Sequence, residues 1–129
     1  MGHPNEDLLR QGYAAFSTGD FQALGELFAD DIQWHAPGRG PLAGDYVGKE
    51  AVFGLFGRTV ELSGGTFSLE LHDVLANDEH GAVLATATGS REGKTLQDRQ
   101  VHIFHLKDRK VQEFWLHPGD LYANDEFWS

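Results

Sequence analysis

Four strand-like runs joined by very short turns occupy the second half of the chain. From Thr66 onward the apolar side chains recur with a period of two, in TFSLELHDVLA, AVLATATGSRE, TLQDRQVHIFHL and VQEFWLH. The intervening turns, NDEHG, GK and KDRK, are too short for the crossover that parallel neighbours require. These runs therefore predict a meander of antiparallel strands.

The first half of the chain predicts three helices, one short strand and one loop. Apolar residues recur at helical spacing in NEDLLRQGYAAF, DFQALGELFADD and KEAVFGLFGRTVEL, and we expect Asn5 and Asp20 to be N-caps. A strand is expected at IQWHA and a loop at PGRGPLAGDYVG. Helices followed by a long sheet are typical of an α+β fold, and the length favours a single domain over residues 1–129.

Both faces of this predicted sheet carry large apolar groups. In the third run, one face would hold Gln100, His102, Phe104 and Leu106, and the other Val101, Ile103 and His105. A sheet with helices on one side only should have a polar outer face. We therefore expect a second copy to cover the outer face, which makes the chain a homodimer.

The C-terminal segment EFWLHPGDLYANDEFWS is unusually aromatic for a chain end. Pro118 and Gly119 should end the last strand, and Asp120 can cap a short helix through LYANDEFW. That helix either covers the mouth of a pocket as a lid or packs against the sheet or a dimer partner. Packing is the preferred interpretation, and Asp120 is a helix cap first and a candidate catalytic acid second.

Charge and composition exclude several classes of partner. The formal net charge is −10, and no Lys/Arg cluster offers the basic face that nucleic acid or an anionic membrane requires. Without cysteines the chain has no disulfides and no cysteine-ligated zinc. No apolar run is long enough for a membrane span, and MGHPNEDLL is not a signal peptide. We expect a cytoplasmic protein.

Three stretches of the sequence resemble the SnoaL-like, ketosteroid-isomerase-like branch of the nuclear transport factor 2-like superfamily. They are YAAFSTGDFQALGELFADDIQWHAPG, GKEAVFGLF and QVHIFHLKDRKVQEFW. The resemblance implies a cone in which a curved antiparallel sheet wraps three N-terminal helices around a deep apolar pocket. It also implies dimers through the outer sheet face. Isomerases, polyketide cyclases, epoxide hydrolases, dehydratases and non-catalytic binders all occur in this superfamily.

The acid residues used by related enzymes are absent from the matching positions. Ala36 stands where ketosteroid isomerases carry their base, and Leu116 lies near the acid of cyclases and epoxide hydrolases. The oxyanion-binding tyrosine falls near Gly12, one residue before Tyr13, and the second donor falls on His102. The resemblance therefore implies neither a ketosteroid isomerase nor a limonene-type epoxide hydrolase.

Two histidines are the leading catalytic candidates. His102 should point into the apolar interior, where burial lowers the pKa and leaves a neutral imidazole that can accept a proton. His35 ends the first strand near the expected pocket mouth, as in some cyclases of the family. Each has a structural alternative: a hydrogen-bonded core histidine for His102 and a solvated rim histidine for His35.

Tyr13 and Asp98 are candidates for orienting a substrate. Asp98 shares a strand face with His102 but lies ~13 Å from it at ~3.3 Å per residue, which excludes direct contact. A solvated surface acid is the preferred interpretation of Asp98. His102 and His105 should face opposite sides, so no metal site is expected, and no cofactor motif is present.

The predicted pocket is lined mainly by aromatic groups. The expected lining residues are Phe16, Trp34, Phe53, Phe56, Gln100, Phe104, Phe114 and Leu116. Small inward residues in AVLATATGS should enlarge the pocket, unless they permit close approach of a helix instead.

These features favour an acid/base enzyme, without a cofactor, acting on a small hydrophobic ring or polyketide-like molecule. The alternatives are a non-catalytic ligand carrier or sensor and a dimeric interaction module.

Overall fold

The computed structural model describes residues 3–129, which form four helices and one six-stranded sheet. In chain order the elements are α1 (Pro4–Thr18), α2 (Phe21–Leu27), β1 (Phe28–Ala36), β2 (Gly44–Val47), α3 (Lys49–Leu62), β3 (Ser68–Ala76), β4 (His80–Arg91), β5 (Lys94–Lys107), β6 (Lys110–His117) and α4 (Leu121–Trp128). The predicted α+β class, the three N-terminal helices and the four-strand meander are confirmed.

Local capping explains where α1 and α2 begin. His3 is the N-cap of α1, because its Nδ1 accepts from the Asn5 amide while Glu6 accepts from the His3 amide. The prediction that Asn5 caps this helix is wrong, since its buried side chain instead donates to the carbonyl oxygens of Asn77 and Asp78. The prediction for Asp20 is confirmed, because Asp20 accepts from the Ala23 amide at 3.0 Å.

The strand order across the sheet is β2-β1-β6-β5-β4-β3. The meander from β3 to β6 is antiparallel, but β1 pairs with β6 in parallel, so the sheet is not antiparallel throughout. Part of the predicted Gly/Pro loop forms β2, which pairs with β1 as an antiparallel edge strand. The two edge strands, β2 and β3, do not meet, which leaves the curved sheet open.

The helices pack against the inner face of this curved sheet. Alternate residues of β5 from Leu96 to Leu106 face inward and are buried. The Leu9 side chain of α1 packs directly on Gly81 of β4, because a Cβ added to Gly81 would lie 2.5 Å from Leu9 Cδ1. The core therefore occupies the concave side of the sheet, where a cavity remains between helices and strands.

The aromatic C-terminus forms α4, capped by Asp120 as predicted. Phe127 and Trp128 are only 2% and 5% exposed and pack with Ala87 and Leu96, whereas Tyr122 is 87% exposed. The expectation that this segment packs against the sheet is therefore confirmed, although Trp128 also borders the cavity.

The convex face of the sheet keeps apolar side chains at intermediate exposure. Val101, Ile103 and Trp115 belong to this outer face. The homodimer expected from these groups stays a prediction. Within residues 3–129 the helices are too short or too polar to cross a membrane.

Candidate functional site

An apolar cavity of about 150 Å³ lies between the helices and the concave face of the sheet. Its walls combine residues of α1, α3, β1, β5, β6 and α4 with the loop before β2. The residues that carry the argument are Tyr13, Phe16, Trp34, Phe56, Thr59, Gln100, His102, Phe104, Phe114, Leu116, Asn124 and Trp128. Seven of the eight predicted lining residues are among them.

Phe53 is the exception among the predicted lining residues. Its ring stacks on Phe21 at a centroid distance of 5.7 Å and on Phe28 at 5.9 Å, and it covers Gly25. Helical spacing places Phe53 and Phe56 on neighbouring parts of α3, but only Phe56 is turned far enough to reach the cavity. Phe53 therefore fastens α3 to α2.

Flat aromatic faces dominate one wall of the cavity. Trp34 and Phe114, which are register partners on β1 and β6, stack with their centroids 3.6 Å apart and their planes within 14°. Phe56 meets Trp34 edge-on at 5.1 Å, and Phe104 meets Phe114 edge-on at the same centroid distance. The parallel pairing of β1 with β6 thus creates a rigid planar surface.

Tyr13 and His102 form a polar pair within these apolar walls. The Tyr13 hydroxyl of α1 is hydrogen-bonded to Nδ1 of His102 on β5, and the two rings are nearly parallel. The pKa of His102 is lowered from 6.5 to about 4, mainly by burial and to a smaller extent by electrostatic repulsion from His117. Burial raises the pKa of Tyr13 well above its ordinary value of 10.0. Both side chains are therefore neutral at pH 7.

A hydrogen-bonded chain, here called the β5 relay, links His102 to two other inward residues of its strand. His102 Nε2 lies 3.0 Å from Gln100 Oε1, and Gln100 Nε2 lies 3.2 Å from Asp98 Oδ2. Asp98 Oδ1 also accepts from the Asp120 amide at 3.1 Å. Asp98 is only 6% exposed, so its interpretation as a solvated surface acid is wrong.

Direct contact between Asp98 and His102 is absent, as strand spacing predicts, but Gln100 bridges the gap. The bridging position of Gln100 was not predicted from the sequence. Inward residues two apart on a strand lie ~6.6 Å from each other, which a glutamine side chain can span. The alternation of Asp98, Gln100 and His102 was the sequence feature that could have revealed the relay.

His35 lies outside the cavity, which corrects its expected position at the pocket mouth. Its ring stacks beside Trp115 on the outer face, with Nδ1 2.7 Å from Asp45 and Nε2 2.6 Å from Glu113. The hydrogen bond to Asp45 raises the pKa of His35 most, Glu113 raises it further, and burial opposes both. The pairing of β1 with β2 and β6 holds the three groups together.

Asp120 is exposed, and its carboxylate caps α4 rather than facing the cavity. Its contribution to the site is its backbone amide, which donates to Asp98. At the far side of α4, Asp125 accepts from the amides of Arg39 and Gly40, which ties the loop before β2 to the helix. This contact was not predicted from the sequence. The lining residues Asn124, Asp125 and Trp128 show that α4 also borders the cavity, in addition to packing against the sheet.

The prediction that small inward residues of β4 enlarge the cavity is not supported, because Val83, Ala85, Ala87 and Gly89 do not line it. Val83, Ala85 and Ala87 are buried, as predicted, but Ala87 lies under Phe127 and Trp128. A Cβ on Gly89 would lie 3.4 Å from Phe127. At this end of β4, small side chains make room for α4, which is the close-approach alternative.

Across residues 3–129 no group of three or more His, Asp or Glu side chains is arranged to hold a metal ion. The titratable groups that face the cavity are Tyr13, His102 and Asp125. The arrangement is suited to holding and moving a proton beside an apolar ligand.

Comparisons with known proteins give a family match and similar structures. A model of the SnoaL-like domain matches residues 9–114. The uncharacterized protein Rv0034 of Mycobacterium tuberculosis is 34% identical over 128 residues, which cover 95% of each chain. Bal32a, from a soil-derived mobile gene cassette, is 42% identical, with a TM-score of 0.93 and coverage of 97% of this chain and 96% of Bal32a.

A more distant structure shares the fold. IdmH of Streptomyces antibioticus, a proposed polyketide cyclase, superimposes with a TM-score of 0.77 at 19% identity. The match covers 95% of this chain and 99% of IdmH.

Proposed function

The chain belongs to the SnoaL-like family of the nuclear transport factor 2-like superfamily, and from that premise we propose that it is an isomerase- or cyclase-type acid/base enzyme. Its substrate would be a small hydrophobic ring or polyketide-like molecule that carries a carbonyl or hydroxyl group. The observation that carries the proposal is the hydrogen-bonded pair of Tyr13 and His102 inside an apolar cavity.

The protonation states of the pair suit proton transfer at neutral pH. With its pKa at about 4, His102 is unprotonated and able to accept a proton. Tyr13 keeps its proton because its pKa is raised. When its hydroxyl turns from His102 to a substrate oxygen on which charge develops, it donates there and leaves Nδ1 of His102 free to accept a proton. A proton that leaves the substrate can thus be held by His102 and returned to another atom of the same molecule.

The size and walls of the cavity favour one compact, flat ring. A volume of about 150 Å³ is similar to that of an engineered protein cavity known to accept benzene. The stacked faces of Trp34 and Phe114 offer a planar apolar surface beside His102, whose ring meets Phe114 at 5.4 Å. Apolar walls also strengthen electrostatic interactions between the pair and a bound oxygen. The shared fold of IdmH is consistent with a polyketide-like substrate.

Variants at the pair test the proposal directly. A panel of cyclic ketones and hydroxylated aromatic compounds would be screened by mass spectrometry for turnover or for solvent deuterium incorporation. Tyr13→Phe and His102→Gln should each reduce kcat by roughly 10²–10⁴-fold. His35→Gln is the matched control, because His35 lies on the outer face, and it should leave turnover unchanged. Full activity in both pair variants would refute the proposed roles.

A non-catalytic carrier is the second candidate, favoured by the apolar residues Ala36 and Leu116 on the cavity wall. Related enzymes carry acids near these positions, so their absence removes two groups that would activate a substrate. A carrier would keep a hydrophobic compound through purification and release it chemically unchanged. Native mass spectrometry followed by analysis of the extracted compound distinguishes the two candidates.

A further inference from the structure

The buried side chains of the β5 relay form a continuous series of hydrogen bonds. Their exposed fractions are 6% for Asp98, 5% for Gln100 and 4% for His102. Asp98 is hydrogen-bonded to Gln100, and Gln100 is hydrogen-bonded to His102. Buried polar groups must be matched donor to acceptor, because an unpaired one has lost its hydrogen bonds to water without replacing them. The direction of every bond in the relay can therefore be worked out from its fixed end.

That fixed end is the backbone amide of Asp120. An amide N–H can only donate, so Asp98 Oδ1 accepts from it at 3.1 Å. The turn that carries this amide is held firmly against β5, because a Cβ on the adjacent Gly119 would lie 2.3 Å from the Arg99 carbonyl oxygen. The Asp120 side chain then starts α4 by capping Ala123.

The remaining bonds follow from the carboxylate of Asp98. A carboxylate accepts only, so Gln100 must turn its amide nitrogen toward Asp98 and its Oε1 toward His102. Oε1 is likewise an acceptor, so His102 Nε2 must carry the hydrogen. Nδ1 is then the unprotonated nitrogen, and it accepts from the Tyr13 hydroxyl.

We propose that Asp98 is a positioning residue that acts through Gln100 to hold His102 in the Nε2–H tautomer, with the Nδ1 lone pair directed at Tyr13. The catalytic value of this arrangement rests on the proposed function, because it leaves the unprotonated nitrogen beside Tyr13, its partner in the proposed proton transfer. The tautomer itself depends only on the relay. Asp98 thus acts without touching a substrate.

Asp98→Asn is expected to reverse the relay. The Asp120 amide still requires an acceptor, so the new side chain turns its oxygen toward that amide and its NH₂ toward Gln100. Gln100 must then flip and present its own NH₂ to His102 Nε2. The neutral ring responds by moving its hydrogen to Nδ1, which then donates to the Tyr13 oxygen.

Nitrogen-15 NMR of histidine-labelled protein at neutral pH shows which ring nitrogen of His102 carries the hydrogen. In the unmodified chain, His102 Nδ1 should resonate as an unprotonated ring nitrogen and Nε2 as a protonated one. In Asp98→Asn the two resonance types should exchange. Asp120→Ser is the matched control, because serine also caps a helix and the backbone amide remains, so the original tautomer should persist.

An Nδ1–H tautomer in the unmodified chain, or an unchanged tautomer in folded Asp98→Asn, would overturn the proposal. If Asp98→Asn does not fold, Gln100→Leu gives the same test, since it removes the acceptor at Nε2 and should raise the share of the Nδ1–H form. No substrate is needed in either measurement. A confirmed tautomer exchange alongside unimpaired turnover in the Tyr13 and His102 variants would refute the proposed function and leave the relay standing.

Discussion

Protonation of His102 should make the folded chain sensitive to acid. The pKa of His102 is about 4 in the folded state, against its ordinary value of 6.5. Between these two values the unfolded chain binds a proton that the folded chain does not bind, so the free energy of unfolding falls as the pH falls. The contribution of neutral, buried His102 is therefore fully present above pH 6.5 and is lost on acidification.

The size of this effect follows from the depression of the pKa. Each unit corresponds to about 1.4 kcal/mol, so about 2 kcal/mol should be lost by pH 5 and about 3 kcal/mol by pH 4. His102→Gln removes the titrating group while it keeps an acceptor for Tyr13 and a donor for Gln100. The variant should therefore lose less stability than the unmodified chain over the same range.

Urea denaturation, followed by tryptophan fluorescence, measures the free energy of unfolding of the unmodified chain and of His102→Gln. The measurement is repeated at several pH values between about 7.5 and 4.5. The difference between the two free energies should change with pH and approach a constant value above pH 6.5, where His102 is neutral in both folded and unfolded chains. Curves that remain parallel throughout the acid range would refute the reasoning, because they would show that His102 titrates normally in the folded protein.

Three other predictions concern residues away from the Tyr13–His102 pair. Phe127→Ala should lower the free energy of unfolding by about 3–5 kcal/mol, because Phe127 is 2% exposed. Tyr122→Ala, at an 87% exposed residue, should change it by less than about 0.5 kcal/mol. Urea denaturation measures both variants, and equal losses would contradict the packing of α4. His35→Gln should lower the stability most below pH 6.5 and have a smaller effect as the pH rises through the raised pKa of His35. This pH dependence is opposite in direction to that of His102. Thermal melts across this range measure it, and a loss of stability that grows with pH would contradict it. A second copy is expected on the outer face of the sheet. Sedimentation equilibrium should therefore give twice 14.3 kDa for the unmodified chain and the monomer mass for Ile103→Asp. A monomeric unmodified chain would contradict the expectation.

Local patterns in the sequence were sufficient to predict the inner face of β5. A period of two depends only on strand geometry, so the inward position of Gln100, His102 and Phe104 followed without knowledge of any partner. The caps at Asp20 and Asp120 were predictable for the same reason, since each bonds an amide three residues later. Such features need no long-range information.

Features that depend on strand pairing were not predictable in this way. The position of His35 depends on β2, which formed within a Gly/Pro loop, and on the parallel neighbour β6 that supplies Glu113. His35 lies half-buried in a cluster with Asp45 and Glu113, and not at a pocket mouth, because of contacts between segments far apart in sequence. A similar limit applies to Phe53, whose direction is decided by stacking on α2.

The burial of Asp98 shows how the aromatic C-terminus and the candidate site depend on each other. Phe127 and Trp128 can pack against the sheet because Ala87 and Gly89 leave space on β4. This packing holds α4, and with it the turn whose Asp120 amide fixes one oxygen of Asp98. Through Gln100 the same contact sets the hydrogen-bonding direction at His102. The apolar residues of the tail thus affect the hydrogen bonding of His102, since loosening α4 would free the Asp120 amide that fixes the far end of the relay.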